Sequence, residues 1–115
     1  MWKAEFYETV DGEMPVKDFL DSLDIKMRAK AVRQISLLNE LGTEIREPYS
    51  KPIKDGLFEL RIKFASDITR VFYFFFIGHK IILTNGFVKK TQKTPPLEIE
   101  KALRYKADYE RRNRE

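Results

Sequence analysis

The ten residues Ile68 to Ile77, ITRVFYFFFI, constrain this chain more than any other segment. They are apolar at odd and even positions alike, so a strand here needs cover on both faces and belongs in the middle of a sheet. The uninterrupted apolar run, Val71 to Ile77, is far too short to span a bilayer. Its neighbours read as strands too. LFELRIKF, 57 to 64, alternates, with Phe58, Leu60, Ile62 and Phe64 on one face and Glu59, Arg61 and Lys63 on the other. Ala65-Ser66-Asp67 supplies a turn, and Gly78-His79 turns the chain into KIILTNGFV, 80 to 88. Three consecutive strands predict an antiparallel meander.

Around this meander the helical signals are local. Residues 2 to 8, WKAEFYE, read as a first strand before the turn-like Asp11-Gly12. Val16, Phe19, Leu20 and Leu23 recur at helical spacing behind Pro15, which suits a first helical position. Asp24 is placed to cap a second helix with the stripe Met27, Ala31, Ile35, Leu38 and Leu41, stopped by Gly42. Residues 43 to 56, with Pro48, Pro52 and Asp55-Gly56, read as a connecting loop. Lys89 to Thr94 form a basic link, Thr94 can serve as an N-cap, and Pro95-Pro96 open a helix carrying Ile99, Ala102, Leu103, Tyr105 and Tyr109. Arg111 to Glu115 are expected to fray. The reading is α+β: one domain, 1–115, in which a small antiparallel sheet (N-terminal strand plus three-strand meander) is packed by a helical hairpin and a C-terminal helix. At 115 residues it has room for one core.

Charge is divided unevenly. Residues 1 to 50 hold 7 Lys/Arg against 10 Asp/Glu, whereas residues 51 to 115 hold 15 against 8. An electropositive half points to a polyanionic partner, with nucleic acid the first candidate. The absence of cysteine removes disulfides, thiolate metal sites and a cysteine nucleophile, and a single His79 argues against a His-rich metal site. No cofactor, metal or membrane partner is expected, and the cytoplasm is the expected compartment.

The charged face of strand 57 to 64 concentrates the chemistry. Arg61 and Lys63 share a face about 7 Å apart, and a hairpin centred near Ser66 brings Arg70 beside Arg61. Opposed cations are unfavourable unless an anion lies between them. Lys89, Lys90 and Lys93 emerge at the end of the last strand and can close the same concavity. The plainer alternative is an ordinary solvated sheet face, with Glu59 neutralising one cation. His79 sits at a hairpin tip away from this face, and Tyr73 and the phenylalanines around it suit a core. Trp2 could pack under a helix or contact a partner.

Three stretches, Lys54-Asp55-Gly56-Leu57-Phe58-Glu59-Leu60-Arg61-Ile62, Arg70-Val71-Phe72-Tyr73, and Gly86-Phe87-Val88-Lys89-Lys90-Thr91-Gln92-Lys93-Thr94-Pro95, resemble the phage-derived, HigB-like branch of the RelE/ParE toxin superfamily. The likeness runs over almost the whole chain, and the RelE-like fold it implies agrees with the element order above. It implies the toxin of a type II toxin–antitoxin system, a ribosome-dependent mRNA endoribonuclease (mRNA interferase) that inhibits translation. In that chemistry the ribose 2′-OH attacks the scissile phosphate. The implied partners are the ribosome, mRNA and a HigA-like helix-turn-helix antitoxin. By strand position Arg61 and Lys63 are similar to the paired basic residues of RelE-type proteins, Arg70 to the arginine of the following strand and Lys90 to the basic residue after the last strand. The resemblance thus implies Arg61, Lys63, Arg70 and Lys90 as catalytic: Arg70 and Lys90 on the phosphate, Lys63 as general base, and Arg61 as clamp and pKa-lowering neighbour. Lys54, Lys89, Gln92 and Lys93 fall to RNA binding. One departure stands out: RelE-type proteins often carry a tyrosine shortly after the last basic residue, where this chain reads Gln92 to Leu97, and Tyr105 and Tyr109 come later on the helix. Two other readings keep the fold: a ParE-like, non-nuclease inhibitor of DNA gyrase, and a non-catalytic RNA- or DNA-binding module.

Overall fold

The computed structural model describes residues 1–64, 67–90 and 93–114. The elements run β1 (Lys3–Phe6), α1 (Pro15–Ser22), α2 (Ile25–Leu41), a short 3-10 turn (Gly42–Glu44), β2 (Ser50–Lys54), β3 (Leu57–Phe64), β4 (Asp67–Phe76), β5 (Lys80–Lys89) and α3 (Pro96–Asn113). Five strands form one sheet in the order β1-β5-β4-β3-β2, so the apolar strand is central. The α+β class holds, with two corrections to the expected sheet. β1 pairs parallel to β5, Lys3 opposite Lys80, which makes the sheet mixed rather than antiparallel. Alternation identifies a strand but carries no information about its neighbour's direction. Second, residues 50–54, read as loop, form the edge strand β2 against β3. Pro52 is tolerated there because an edge strand leaves half of its N–H groups unpaired, and the ladder shifts register between Pro52 and Lys54.

Sequence signals and structure agree closely on the helical hairpin. Pro15 opens α1, and the Asp24 carboxylate accepts a hydrogen bond from the Met27 N–H at 2.9 Å, closing the first turn of α2. Gly42 ends α2 at a positive φ of 53°, and the Trp2 indole lies where a Cβ would stand. Trp2 is therefore a packing residue, tilted against Phe75 and edge-on to His79. Val16, Leu20, Met27, Ala31 and Leu38 bury one face of the sheet through Leu60, Ile62, Val71, Tyr73, Ile81 and Leu83. Leu41, expected on the stripe, is 37% exposed at the helix end and is not part of the buried core.

The opposite face is covered by α3, but only in part. Tyr109 packs on Phe74 and Ile82, while Ala102, Ile99 and Leu103 pack on Leu57, Phe72 and Phe87. Between Val71 and Tyr73 the β4–β5 ladder slips, so that Thr84 and Asn85 bulge opposite Phe72. The bulge turns the Asn85 amide to donate to Glu98 at 3.1 Å, fixing where α3 begins. Thr94 does not cap this helix; Pro95 occupies the cap position and the Thr94 hydroxyl donates to Glu59 instead. Nor does the last turn fray: Arg111 and Arg112 both pair with Asp108, Arg112 also donates to the Glu8 carbonyl at 2.6 Å, and α3 continues to Asn113. Glu115 lies outside the described residues, as does the expected Ala65-Ser66 turn. Among the described residues no helix is long and apolar enough to cross a membrane.

Candidate active site

Because α3 starts only at Pro96, it does not reach over the end of the sheet nearest Lys63 and Lys89. The β3–β4 register sets Arg61 directly opposite Arg70, Lys63 opposite Ile68 and Glu59 opposite Phe72. On the far side of β4, Lys89 lies opposite Ile68. Cross-strand partners share a face, so Glu59, Arg61, Lys63, Arg70 and Lys89 converge on this end of the sheet.

Two like charges facing each other across adjacent strands need a counterion, and Glu59 is that counterion. Its side chain is 2% exposed. One carboxylate oxygen lies 2.6 Å from Arg70 Nε and 3.6 Å from Arg61 Nε, and the other accepts from the Thr94 hydroxyl at 3.0 Å. The Arg70 Nε–H itself is aimed off the carboxylate and meets no acceptor in line. The contact is therefore electrostatic rather than a well-aligned hydrogen bond. Arg70 is 5% exposed, and burial pulls its pKa down while Glu59 opposes that fall. Lys89 is likewise lowered, first by partial desolvation and then by the charge of Arg70, with Arg61 and Lys51 adding to the effect and Glu59 countering it. One buried carboxylate thus anchors a cluster with a large cationic excess.

The predicted site residues divide by position. Arg61, Lys63 and Arg70 meet along one cavity of about 390 Å³, and Lys89 belongs to the same electrostatic neighbourhood. Lys63 is exposed and, among the described residues, has no partner. Lys90 lies one residue beyond β5, also exposed; Lys89 rather than Lys90 interacts with Arg70. Lys93 is exposed before α3, and Gln92 lies outside the described residues. Lys54 pairs with Leu57 at the β2–β3 turn, on the order of 20 Å along β3 from Lys63, and is not brought to the cluster. Local pattern gave no hint of Lys51, which sits opposite Glu59 on the unpredicted β2, or of Thr94 as a ligand of Glu59. It was equally silent on the α2 and pre-β2 residues that line the cavity.

Four of the five tyrosines, Tyr7, Tyr73, Tyr105 and Tyr109, are structural. Tyr73 is buried and bonded to Ser50, Tyr105 stacks on Tyr7, and Tyr109 packs edge-on to Phe74 and Phe76. Among the described residues no group of three His, Asp or Glu side chains could hold a metal ion. A larger cavity, about 860 Å³, lies at the other end between β4 and the last turns of α3; around it Lys80 pairs with Glu5, Glu110 with Lys106 and Arg111 with Asp108.

Residues 18–107, which include every cation of the cluster, match the family described as Phage derived protein Gp49-like. The chain belongs to this family. The HigB-like resemblance holds as well: this Gp49-like chain is 34% identical over 102 residues to the protein named "Probable endoribonuclease HigB1" in two strains of Mycobacterium tuberculosis, CDC 1551 / Oshkosh and H37Rv. The matched region covers 89% of the present chain and 78% of each relative.

Proposed function

We propose that this Gp49-like chain is the toxin of a type II toxin–antitoxin pair, an endoribonuclease that cuts mRNA on the ribosome. The observation that carries the reading is the Arg61–Arg70 pair. Two guanidinium groups face each other across strands, held by a single buried carboxylate and open to a cavity of nucleotide size. A structural ion pair needs one cation per carboxylate; surplus cations at a concave site suit a phosphodiester, whose transition state gains negative charge.

Cutting by 2′-OH attack forms a 2′-O–P bond and breaks the P–O5′ bond, giving a 2′,3′-cyclic phosphate and, once the leaving oxygen takes a proton from water, a free 5′-OH. Arg61, the more accessible guanidinium, grips the phosphate in line, and Arg70 stabilises the charge that develops on its oxygens. The Lys63 amine, two residues along β3 from Arg61 and without a partner among the described residues, takes the 2′ proton. Lys89 adds positive charge on the leaving-group side, and Lys90 and Lys93 extend the grip on backbone phosphate. An active toxin implies a HigA-like antitoxin that covers the site in the cytoplasm until translation is to be arrested.

The test is to add the purified protein to a translating system and map mRNA 5′ ends by primer extension, beside the same mRNA without ribosomes. We expect ribosome-dependent cuts that disappear in Arg70→Ala. A folded, growth-inhibiting protein that produces no cuts overturns the endoribonuclease reading.

A further inference from the structure

Phosphate recognition accounts for only one wall of the cavity. The other wall is built by Lys30 and Gln34 of α2 and by Tyr49, just before β2. Tyr49 is 45% exposed, and among the described residues neither its hydroxyl nor the Gln34 amide has a hydrogen-bond partner. An aromatic ring left half in water in a cavity lined by arginines, with an unspent amide in the same lining, has no role in binding phosphate alone. The Tyr49 backbone is rigidly tied: its carbonyl accepts the Arg61 N–H at 2.8 Å and its N–H donates to the Arg46 carbonyl at 2.9 Å. The point from which the ring springs is therefore fixed relative to Arg61. Lys30 and Gln34, four residues apart, stand one above the other on α2, about 6 Å along its axis.

We propose that this cavity holds one base of the RNA, next to the phosphate gripped by Arg61. Tyr49 is the stacking platform, Gln34 reads the base edge, and Lys30 meets the neighbouring phosphate. The inference rests on the endoribonuclease reading and adds where base preference arises. Aromatic faces accept every base, whereas a carboxamide, offering both donor and acceptor, distinguishes their edges. The volume, about 390 Å³, has room for a base, and the lining offers one aromatic platform, Tyr49, and one carboxamide, Gln34. Preference is therefore for one position of the RNA.

The test uses a fluorescent trinucleotide 2′-O-methylated throughout, which lacks the attacking hydroxyl, and its counterpart with an abasic middle position. Binding is followed by anisotropy. Stacking of one base is worth about 1–3 kcal/mol, so the abasic trimer should bind roughly 5- to 150-fold more weakly. Tyr49→Ala should bring the intact trimer down to the abasic level, Tyr49→Phe should keep the wild-type difference, and Gln34→Ala should flatten the differences among four trimers that vary only in the middle base. Equal binding of intact and abasic trimers overturns the proposal, as does no binding of either, or a Tyr49→Ala protein that still tells them apart. Should Tyr49→Ala not fold, Gln34→Ala and the abasic comparison still decide. Base-dependent binding by a protein that cuts no mRNA would sustain this site and remove the endoribonuclease reading; cutting without base-dependent binding would do the reverse.

Discussion

Replacing Glu59 by Gln should cost far more stability than a change of one atom suggests. The carboxylate is almost fully buried and lies 2.6 Å from Arg70 Nε, itself 5% exposed, with Arg61, Lys51 and Lys89 nearby. Glu59→Gln keeps the shape and can still accept from Thr94, but it leaves a buried guanidinium uncompensated among like charges. Breaking a buried pair by neutralising one partner costs about 3–5 kcal/mol, a large share of the roughly 5–15 kcal/mol that holds a domain together. With a Tm change of about 4 °C per kcal/mol in a chain of this size, melting should fall by about 10–20 °C. Urea unfolding followed by the fluorescence of Trp2, the sole tryptophan, measures the same quantity. The companion variant Glu59→Gln/Arg70→Met removes the stranded charge as well, so it should recover at least half of the loss. A Glu59→Gln protein within 0.5 kcal/mol of wild type, by the usual scatter of surface substitutions, or a double variant less stable than the single, would refute the argument that Glu59 is the counterion of this cluster.

Other predictions concern the remaining parts of the molecule. Lys63→Arg retains the charge but not an amine that can give up its proton, so mRNA cutting should fall by about 10²- to 10⁴-fold while RNA binding holds; a rate within tenfold of wild type excludes Lys63 as the base. Tyr7, whose hydroxyl donates to Asp108 at 2.6 Å, has its pKa pushed up from 10.0 to about 12, by burial first and then by that bond. Because the folded value lies above the unfolded one, the stabilisation is complete below pH 10 and is lost as pH rises toward 12. Denaturation midpoints of wild type should therefore drop more steeply between pH 10 and 12 than those of Tyr7→Phe, and parallel curves would refute the assignment. Gly42→Ala combines a positive φ of 53° with a Cβ placed 1.9 Å from the Trp2 indole nitrogen, so it should destabilise the chain by about 2 kcal/mol or more and shift Trp2 emission. An unchanged melting curve would show that Trp2 does not pack there.

The parts of this protein that local chemistry specifies were legible in its sequence. Period-two alternation over 57–64, the two-sided apolar run after it, Pro15 ahead of α1, and Asp24 and Gly42 bracketing α2 are each decided by residues within a few positions of one another. The Arg61–Arg70 pairing was readable for the same reason, since a short hairpin fixes register by counting. Tertiary structure decided what depends on contacts across long stretches of chain. The parallel pairing of β1 with β5 joins residues 77 positions apart, and β2 exists because β3 offers it an edge despite Pro52. Thr94 turned from helix cap to ligand because a buried carboxylate 35 residues away binds a hydroxyl more strongly than a helix end does. Lys89 rather than Lys90 gained the field of Arg70, and Lys30, Gln34 and Tyr49 joined the cavity, only when α2 and the approach to β2 were brought beside the end of the sheet. The sequence by itself determined which side chains carry charge and which strand presents them. The fold determined which charges are buried, and burial turns a basic strand face into a site, because a cation removed from water must find either its own carboxylate or a ligand's phosphate.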